Sequence, residues 1–424
     1  MLFRSFPTIA GRRKIFDKFC VLSLADRSDG FITMLAPIRD HLSPRDPASA
    51  SLLCSTKDHY FSRLEVDVTP GQPSSERAQW ITSEDVNVEH LLDVFTTVDP
   101  TSDAVWVSCL KFIIHMYRHK PRPVMLGPNI EALAGDHPLK IMCLLYLSRL
   151  FIGVGHIAEA ERLLEHVLQL SREQGDDEKL ALALTDLSYV HLAMAKFEEG
   201  IREIKEAMAV YERLGETTDQ VNCLAGLAML LNSAEQVDAA EEAASRALDL
   251  APESEQHLVC ECHKILGNIY RSKGEIGKAT HHLEVALGIA SSSNLVAELW
   301  DIHSSLAHLF ADQGRFDDAH THIEHAKLQV VNEKDIHFLA ISTLHQAMLL
   351  CAQYRFEEAK SEALRALEVF EKFGAAANVE LIRRLLQVID HHTSESNENG
   401  ELLEPVLLIV FIYSSCSDMV TEFE

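Results

Sequence analysis

The fold class predicted is all-α, a right-handed α-solenoid of helical hairpins, and three observations predict it. Six small residues, Ala160, Gly200, Ala240, Ala279, Ala319 and Ala359, recur at spacings of 40, 40, 39, 40 and 40, the mark of a tandem repeat. Twelve residues before each stands another small or short residue (Ser148, Ser188, Ala228, Gly267, Ala307, Ala347), and seven after comes Val167, Ala207, Ala247, Ala286, Ala326 or Ala366. Between these markers the apolar residues fall three and four apart, the period of a helix. Small residues at fixed places let two antiparallel helices approach closely, while the large residues preceding the first marker (Leu147, Leu187, Leu227, Leu266, Leu306, with Gln346 the exception) fill the space between copies.

This pattern resembles the tetratricopeptide (TPR) motif. Its cleanest copy is Leu266-Gly267-Asn268-Ile269-Tyr270 followed by Ala279, Leu283 and Ala286. The period exceeds the roughly 34 residues usual for that motif and is near that of HEAT and armadillo arrays. The paired small residues and the short turns Ser272-Lys273-Gly274 and Asp312-Gln313-Gly314 favour TPR-like helical hairpins. The extra length is assigned to longer helices and to links near residues 173–178, 251–256, 291–294 and 332–335.

Taken in order, residues 1–60 suggest a small winged-helix-like remnant: helix over 14–24, a short strand over Phe31–Met34, a short helix over 36–42, then the breaker Ser43-Pro44-Arg45-Asp46-Pro47. Residues 61–137 form a linker and an irregular N-terminal helical cap, with helical periodicity over 84–97 and 104–119. Pro121, Pro123, Gly127 and Pro128 lead into six TPR-like repeats over 138–375. A single pair cannot bury its apolar face alone, so stability grows by stacking. A capping helix with Leu381, Ile382, Leu385, Leu386 and Ile389 on one side follows at 376–392, and 393–424 is read as a disordered or unreliable tail.

Composition narrows the function. The formal net charge is −26, from 64 acidic and 38 basic residues, so nucleic acid and anionic membrane would both meet like charge. The nine cysteines form no C-x-x-C motif, which argues against a disulfide framework or zinc ribbon. Cys143, Cys223 and Cys262 share one place in their repeats, as small buried hydrophobes would. No segment reaches the roughly 18–20 apolar residues of a membrane span. The localisation expected is cytoplasmic.

Catalytic chemistry is not indicated. Gly274-Glu275-Ile276-Gly277-Lys278-Ala279-Thr280 lacks the first glycine of a phosphate loop and its magnesium-binding hydroxyl, and it sits in an inter-helix turn. No serine–histidine elbow, H-E-x-x-H or dinucleotide loop occurs. Of the 22 histidines, His320, His322 and His325 share one second helix and His281 and His282 the one before. They are read as solvated, with His263 and His303 as core or rim, and no metal ligand or cofactor is expected.

A helical solenoid offers a concave groove lined by its first helices. The candidate partner-binding residues there are Tyr189, Asn232, Lys264, Asn268, Arg271 and His308. Lys264, Asn268 and Arg271 read as a basic fork beside an amide, suited to a peptide carboxylate or an acidic side chain. In TPR co-chaperones that grip a C-terminal carboxylate, Lys and Asn hold the places of Lys264 and Asn268. The other three clamp places are Ser305, Ile341 and His345 here, so that particular grip is not carried over.

One further resemblance covers residues 15–392. Val21-Leu22-Ser23-Leu24 and Phe31-Ile32-Thr33-Met34-Leu35-Ala36-Pro37-Ile38-Arg39-Asp40-His41-Leu42 resemble the end of the winged helix in signal-transducing NTPases. Glu84-Asp85-Val86-Asn87-Val88-Glu89-His90-Leu91-Leu92 and the repeats resemble the C-terminal repeat arm of fungal NB-ARC/NACHT members. That resemblance implies a partner-sensing arm whose nucleotide-binding module would lie upstream. The function expected is a non-catalytic scaffold, not an enzyme, binding a protein or peptide in its groove. The alternative is the sensing arm of such an ATPase switch.

Overall fold

The computed structural model describes residues 25–28, 31–34, a set of positions between 81 and 131, and then 137–329 and 336–395 apart from 374 and 375. The helices expected at 14–24 and 36–42, the linker prolines, and the tail beyond 395 lie outside the described residues. Two compact units divide the chain, Met1–Phe112 and Ile113–Glu424.

In the first unit, strands β1 (Ala25–Ser28) and β2 (Phe31–Met34) pair antiparallel, with Ala25 opposite Met34 and Ser28 opposite Phe31. The strand expected at Phe31–Met34 is present. Positions 85, 86, 88, 89, 92, 93, 95 and 96 are helical. Helix α1 (Asp103–His119) begins in the first unit and ends in the second, so that Tyr117 belongs to the second.

The second unit is a stack of helical pairs, the α-solenoid of TPR-like hairpins that the small-residue period predicts. The pairs are α2 (Pro138–Gly153) with α3 (Ile157–Gln174), α4 (Asp177–Ala193) with α5 (Phe197–Leu214), and α6 (Thr217–Ser233) with α7 (Val237–Leu250). Then come α8 (Gln256–Ser272) with α9 (Ile276–Ser293), α10 (Val296–Asp312) with α11 (Phe316–Gln329), and α12 (Ile336–Ala352) with α13 (Phe356–Phe373). Helix α14 (Ala376–Glu395) closes the array against α13.

First and second helices differ as their sequences require. Helix α6 is nearly continuous in Val, Leu, Ala and Cys and buries Val221, Cys223, Leu224, Ala225, Gly226, Leu227, Ala228, Leu230 and Leu231. Helix α7 has one narrow apolar stripe and buries Ala240, Ala243, Ala244 and Ala247. A helix apolar all round must be covered on more than one side, so the first helices lie inside, packed on their own partner and on neighbouring first helices. Each anchoring alanine is fully buried. At Gly200 a Cβ would stand 2.7 Å from Leu230 Cδ2 and 3.0 Å from the Ser188 carbonyl oxygen; at Gly267 it would stand 2.6 Å from Leu283 Cγ. The small residues are therefore contact points between helices, as the spacing implies.

The turn inside each hairpin repeats one conformation. Gly155, Ala195, Glu235, Gly274, Gly314 and Tyr354 all have positive φ, between 56° and 78°. Between hairpins, Gly175, Gly215 and Asn294 end their helices in the same left-handed region, the usual helix stop. Asp176 caps α4 by accepting from the Lys179 amide at 3.1 Å.

A buried polar joint ties the first two pairs. The His191 ring on α4 meets Glu203 on α5 at 2.7 Å through Nδ1 and Glu161 on α3 at 3.2 Å through Nε2, and Lys196 reaches Glu161 at 2.6 Å. Burial alone would lower the His191 pKa; the hydrogen bond and charge of Glu203, with Glu161, outweigh it and raise the value. A raised histidine pKa adds stability that is complete below the unfolded value and is lost as pH rises through the folded one. His191→Phe is therefore expected to cost about 1–3 kcal/mol near pH 6 and less near pH 8.5. Thermal unfolding of both proteins at the two pH values measures it, and an equal loss at both would refute a charged imidazole.

Candidate functional site

Within the second unit, residues drawn mainly from the first helices line a cavity of about 410 Å³. Tyr117 of α1, Arg149 of α2, Tyr189 of α4, Asn222 and Met229 of α6, Lys264 of α8, Trp300 of α10 and Phe338 of α12 all contribute to its walls. The inner position of the first helices explains why one surface collects residues so far apart in sequence. Tyr189 can lie here because α6 carries Gly226 opposite it: a Cβ at Gly226 would stand 2.9 Å from the Tyr189 hydroxyl oxygen. Trp300 is held by donating Nε1–H to Ser342 Oγ at 2.9 Å, with Phe338 packed on its ring at 4.8 Å.

The cavity is acidic. Its carboxylates are Asp186, Asp219, Glu261, Glu298 and Asp301, and its permanent cations are Arg149 and Lys264. Both cations are bound within the protein. Arg149 Nε donates to Asp186 Oδ2 at 2.7 Å. Lys264 is only 3 % exposed and donates to Asp301 Oδ2, and to Glu261 at 2.8 Å. Burial acts against the Lys264 charge, but Asp301 and Glu261 outweigh it and keep the ammonium protonated. Burial pushes the Asp301 carboxyl up to about 6, with Lys264 offsetting only part of that rise. Asp219 is also raised, by burial first and then by Glu216 and Glu178.

The expected basic fork has acidic partners in this arrangement. Lys264 is a buried structural cation that joins α8 to α10, and Arg271 is engaged with Asp312 at 3.1 Å. With Glu261, Asp301 and Asp312 beside them, the two bases are outnumbered, so an acidic ligand would meet net negative charge. Of the six sequence candidates, Tyr189 and Lys264 share the cavity wall. Asn232, Asn268, Arg271 and His308 are not among its lining residues. Asn232 Oδ1 is buried with no hydrogen-bond partner among the described residues. His308 is buried edge-on against His345, ring centroids 4.7 Å apart, and its pKa falls well below 6.5 through burial, then through His345 and Arg271.

Sequence reasoning missed the cross-repeat ion pairs, although a signal for them exists. Arg149–Asp186 and Lys264–Asp301 both link residues 37 apart, three short of the period. It also missed that histidines pair inside a hairpin. His263 Nδ1 lies 3.0 Å from His282 Nδ1, and His303 Nδ1 lies 2.9 Å from His322 Nδ1. The phosphate-loop look-alike is ordinary turn structure: Lys278 pairs with Glu275 at 2.6 Å and lies 4.7 Å from the centre of the Tyr270 ring.

Among solved structures, the chain is similar to a Rap protein complexed with competence and sporulation factor, at 15 % identity and a TM-score of 0.49 over 82 % of this chain and 99 % of that one. It is similar to aspartyl phosphate phosphatase F from Bacillus subtilis at 14 % identity, with a TM-score of 0.44 over 80 % of this chain and 97 % of that one. A thermophilic TPR protein of Thermus thermophilus is similar at 20 % identity, with a TM-score of 0.38 over 50 % of this chain and 99 % of that one. No family model matches the sequence, and no curated protein matches it. Among the described residues, no helix is long and apolar enough to cross a membrane.

Proposed function

We propose that the chain is a non-catalytic protein-interaction scaffold whose groove takes an extended, basic peptide segment. The observation that carries this reading is the charge left in the cavity after internal pairing. Arg149 and Lys264 are spent on Asp186, Asp301 and Glu261, which leaves Asp219 and Glu298 in the wall with no further permanent cation among its lining residues. Lysine or arginine side chains of a bound segment would find a carboxylate at each of these two places. The half-buried rings of Tyr117, Tyr189 and Phe338 would receive an aliphatic stem or guanidinium plane. Cys109, Cys143, Cys223, Cys260, Cys262 and Cys351 are buried thiols, which fits a reducing, cytoplasmic setting.

Fluorescence anisotropy with labelled Lys/Arg-rich and Glu-rich peptides of equal length tests the reading. The basic peptide is expected to bind, more weakly as salt rises. Asp219→Lys combined with Glu298→Lys is expected to weaken it by about tenfold or more. Preference for the acidic peptide, or unchanged binding by the double variant, would refute the reading.

The β1–β2 hairpin supports a second reading. It forms within the segment that resembles part of a winged helix, as an arm joined to an NB-ARC/NACHT ATPase switch would require. The groove would then be the sensing surface of that switch. Sequencing the full-length transcript tests this: a frame continuing upstream into a G-x-x-x-x-G-K-[ST] loop supports it, and an upstream stop codon refutes it.

A further inference from the structure

We propose that His303, His322 and His325 form a binding site for a zinc-type divalent first-row cation, clipping α10 to α11 within one hairpin. One nitrogen from each ring lies within 4.8 Å of the other two. His303 Nδ1 and His322 Nδ1 are 2.9 Å apart, and the His325 ring centre is 5.1 Å from that of His303 and 6.0 Å from that of His322. Two nitrogens on a tetrahedral zinc stand about 3.3 Å apart, given zinc–nitrogen bonds of about 2.0–2.1 Å. Small ring rotations therefore suffice to seat an ion. Imidazole donors alone select zinc, copper or nickel over magnesium or calcium, which take oxygen.

The rings are suited to the task. His303 is buried, His322 half-buried and His325 exposed, so the site has a closed back and an open front where water or a fourth donor could complete the shell. Presenting the Nδ1 lone pairs of His303 and His322 requires the neutral tautomer with hydrogen on Nε2. Phe310 stacks on His322 at 5.2 Å and fixes its plane.

The preceding hairpin supplies an internal control. His263 and His282 hold the same two places and face one another in the same way, and Tyr270 stacks on His282 as Phe310 does on His322. The residue equivalent to His325 there is Val285. A pair without the third donor lies beside a pair that has it, so one substitution separates a histidine contact from a three-donor site.

The test is titration of the full chain with Co²⁺ as a spectroscopic stand-in for Zn²⁺, followed by displacement with Zn²⁺. One equivalent is expected to produce visible absorption bands of a low-coordinate ion. His325→Val, which copies the neighbouring hairpin and so should fold, is expected to weaken binding by at least about tenfold. His322→Ala should abolish the bands, and His263→Phe should leave them unchanged, with circular dichroism verifying the fold of each variant. No visible band at one equivalent, wild-type bands in His325→Val, or their loss in His263→Phe would each overturn the site.

Discussion

Lys264→Met is expected to destabilise the array by about 3–5 kcal/mol at neutral pH, the usual cost of stripping a buried charge of its partner. Asp301 and Lys264 are among the most deeply enclosed charged residues of the groove, at 7 % and 3 % exposure. Methionine would fill most of the lysine's volume while leaving Asp301 to face Glu261 and Glu298 without a counter-charge. Acid should relieve the damage. The Asp301 pKa is raised above its unfolded value, so the native state holds that proton more readily. Its contribution is most favourable below the unfolded pKa and declines as pH rises through the folded one. Without Lys264 this decline becomes steeper. Denaturant unfolding at about pH 5 and about pH 7 should therefore show the smaller difference between variant and wild type at pH 5. Lys264→Met with Asp301→Leu should recover most of the loss, because an apolar pair can replace a buried ion pair with little cost. An equal deficit at both pH values, with no recovery in the double variant, would mean the pair is not the joint described. A charge reversal at Lys264 would confound folding with binding; Asp219 and Glu298 are better places to test the groove.

Phe370→Ala is expected to remove about 3–5 kcal/mol, and to remove it locally. Phe370 on α13 is fully buried in a cluster with Leu344 and Met348 of α12 and Ile382, Leu385 and Ile389 of α14. Neighbouring pairs touch mainly neighbouring pairs, so stability is close to a sum of repeat and junction terms. The cavity left by the phenyl ring should open the last pair and the closing helix without loosening α4 or α5. Hydrogen exchange reads this directly: amides of α12 to α14 should exchange about a hundredfold faster or more, with those of α4 and α5 unchanged. Uniform acceleration along the chain would show one cooperative block instead of an array.

The sequence reveals the array because its period is carried by residues whose size alone matters. Ala279 or Gly267 is small for one reason, the approach of a neighbouring helix, and so the anchor spacing reads out as geometry. The groove is harder to read. Position within a repeat shows that Lys264 lies on an inner helix, but not that Asp301, on the next first helix, has already neutralised it. The charge of the cavity follows from pairings between repeats, and those depend on how successive hairpins are staggered. The histidines show the same limit: His303 and His322 are 19 residues apart, a spacing that means nothing until a hairpin folds back between them.

Three of the six hairpin turns hold a left-handed backbone on Ala195, Glu235 and Tyr354, where the other three have glycine. An L-residue with a Cβ bears about 1–2 kcal/mol of strain in that conformation, and the turn keeps it because the stacked helices on either side dictate the path. The fold is thus stored redundantly, like a message sent six times: a copy that loses a letter is corrected by its neighbours. Such tolerance means that the residue at the tip of a hairpin can change while the path of the chain through it does not.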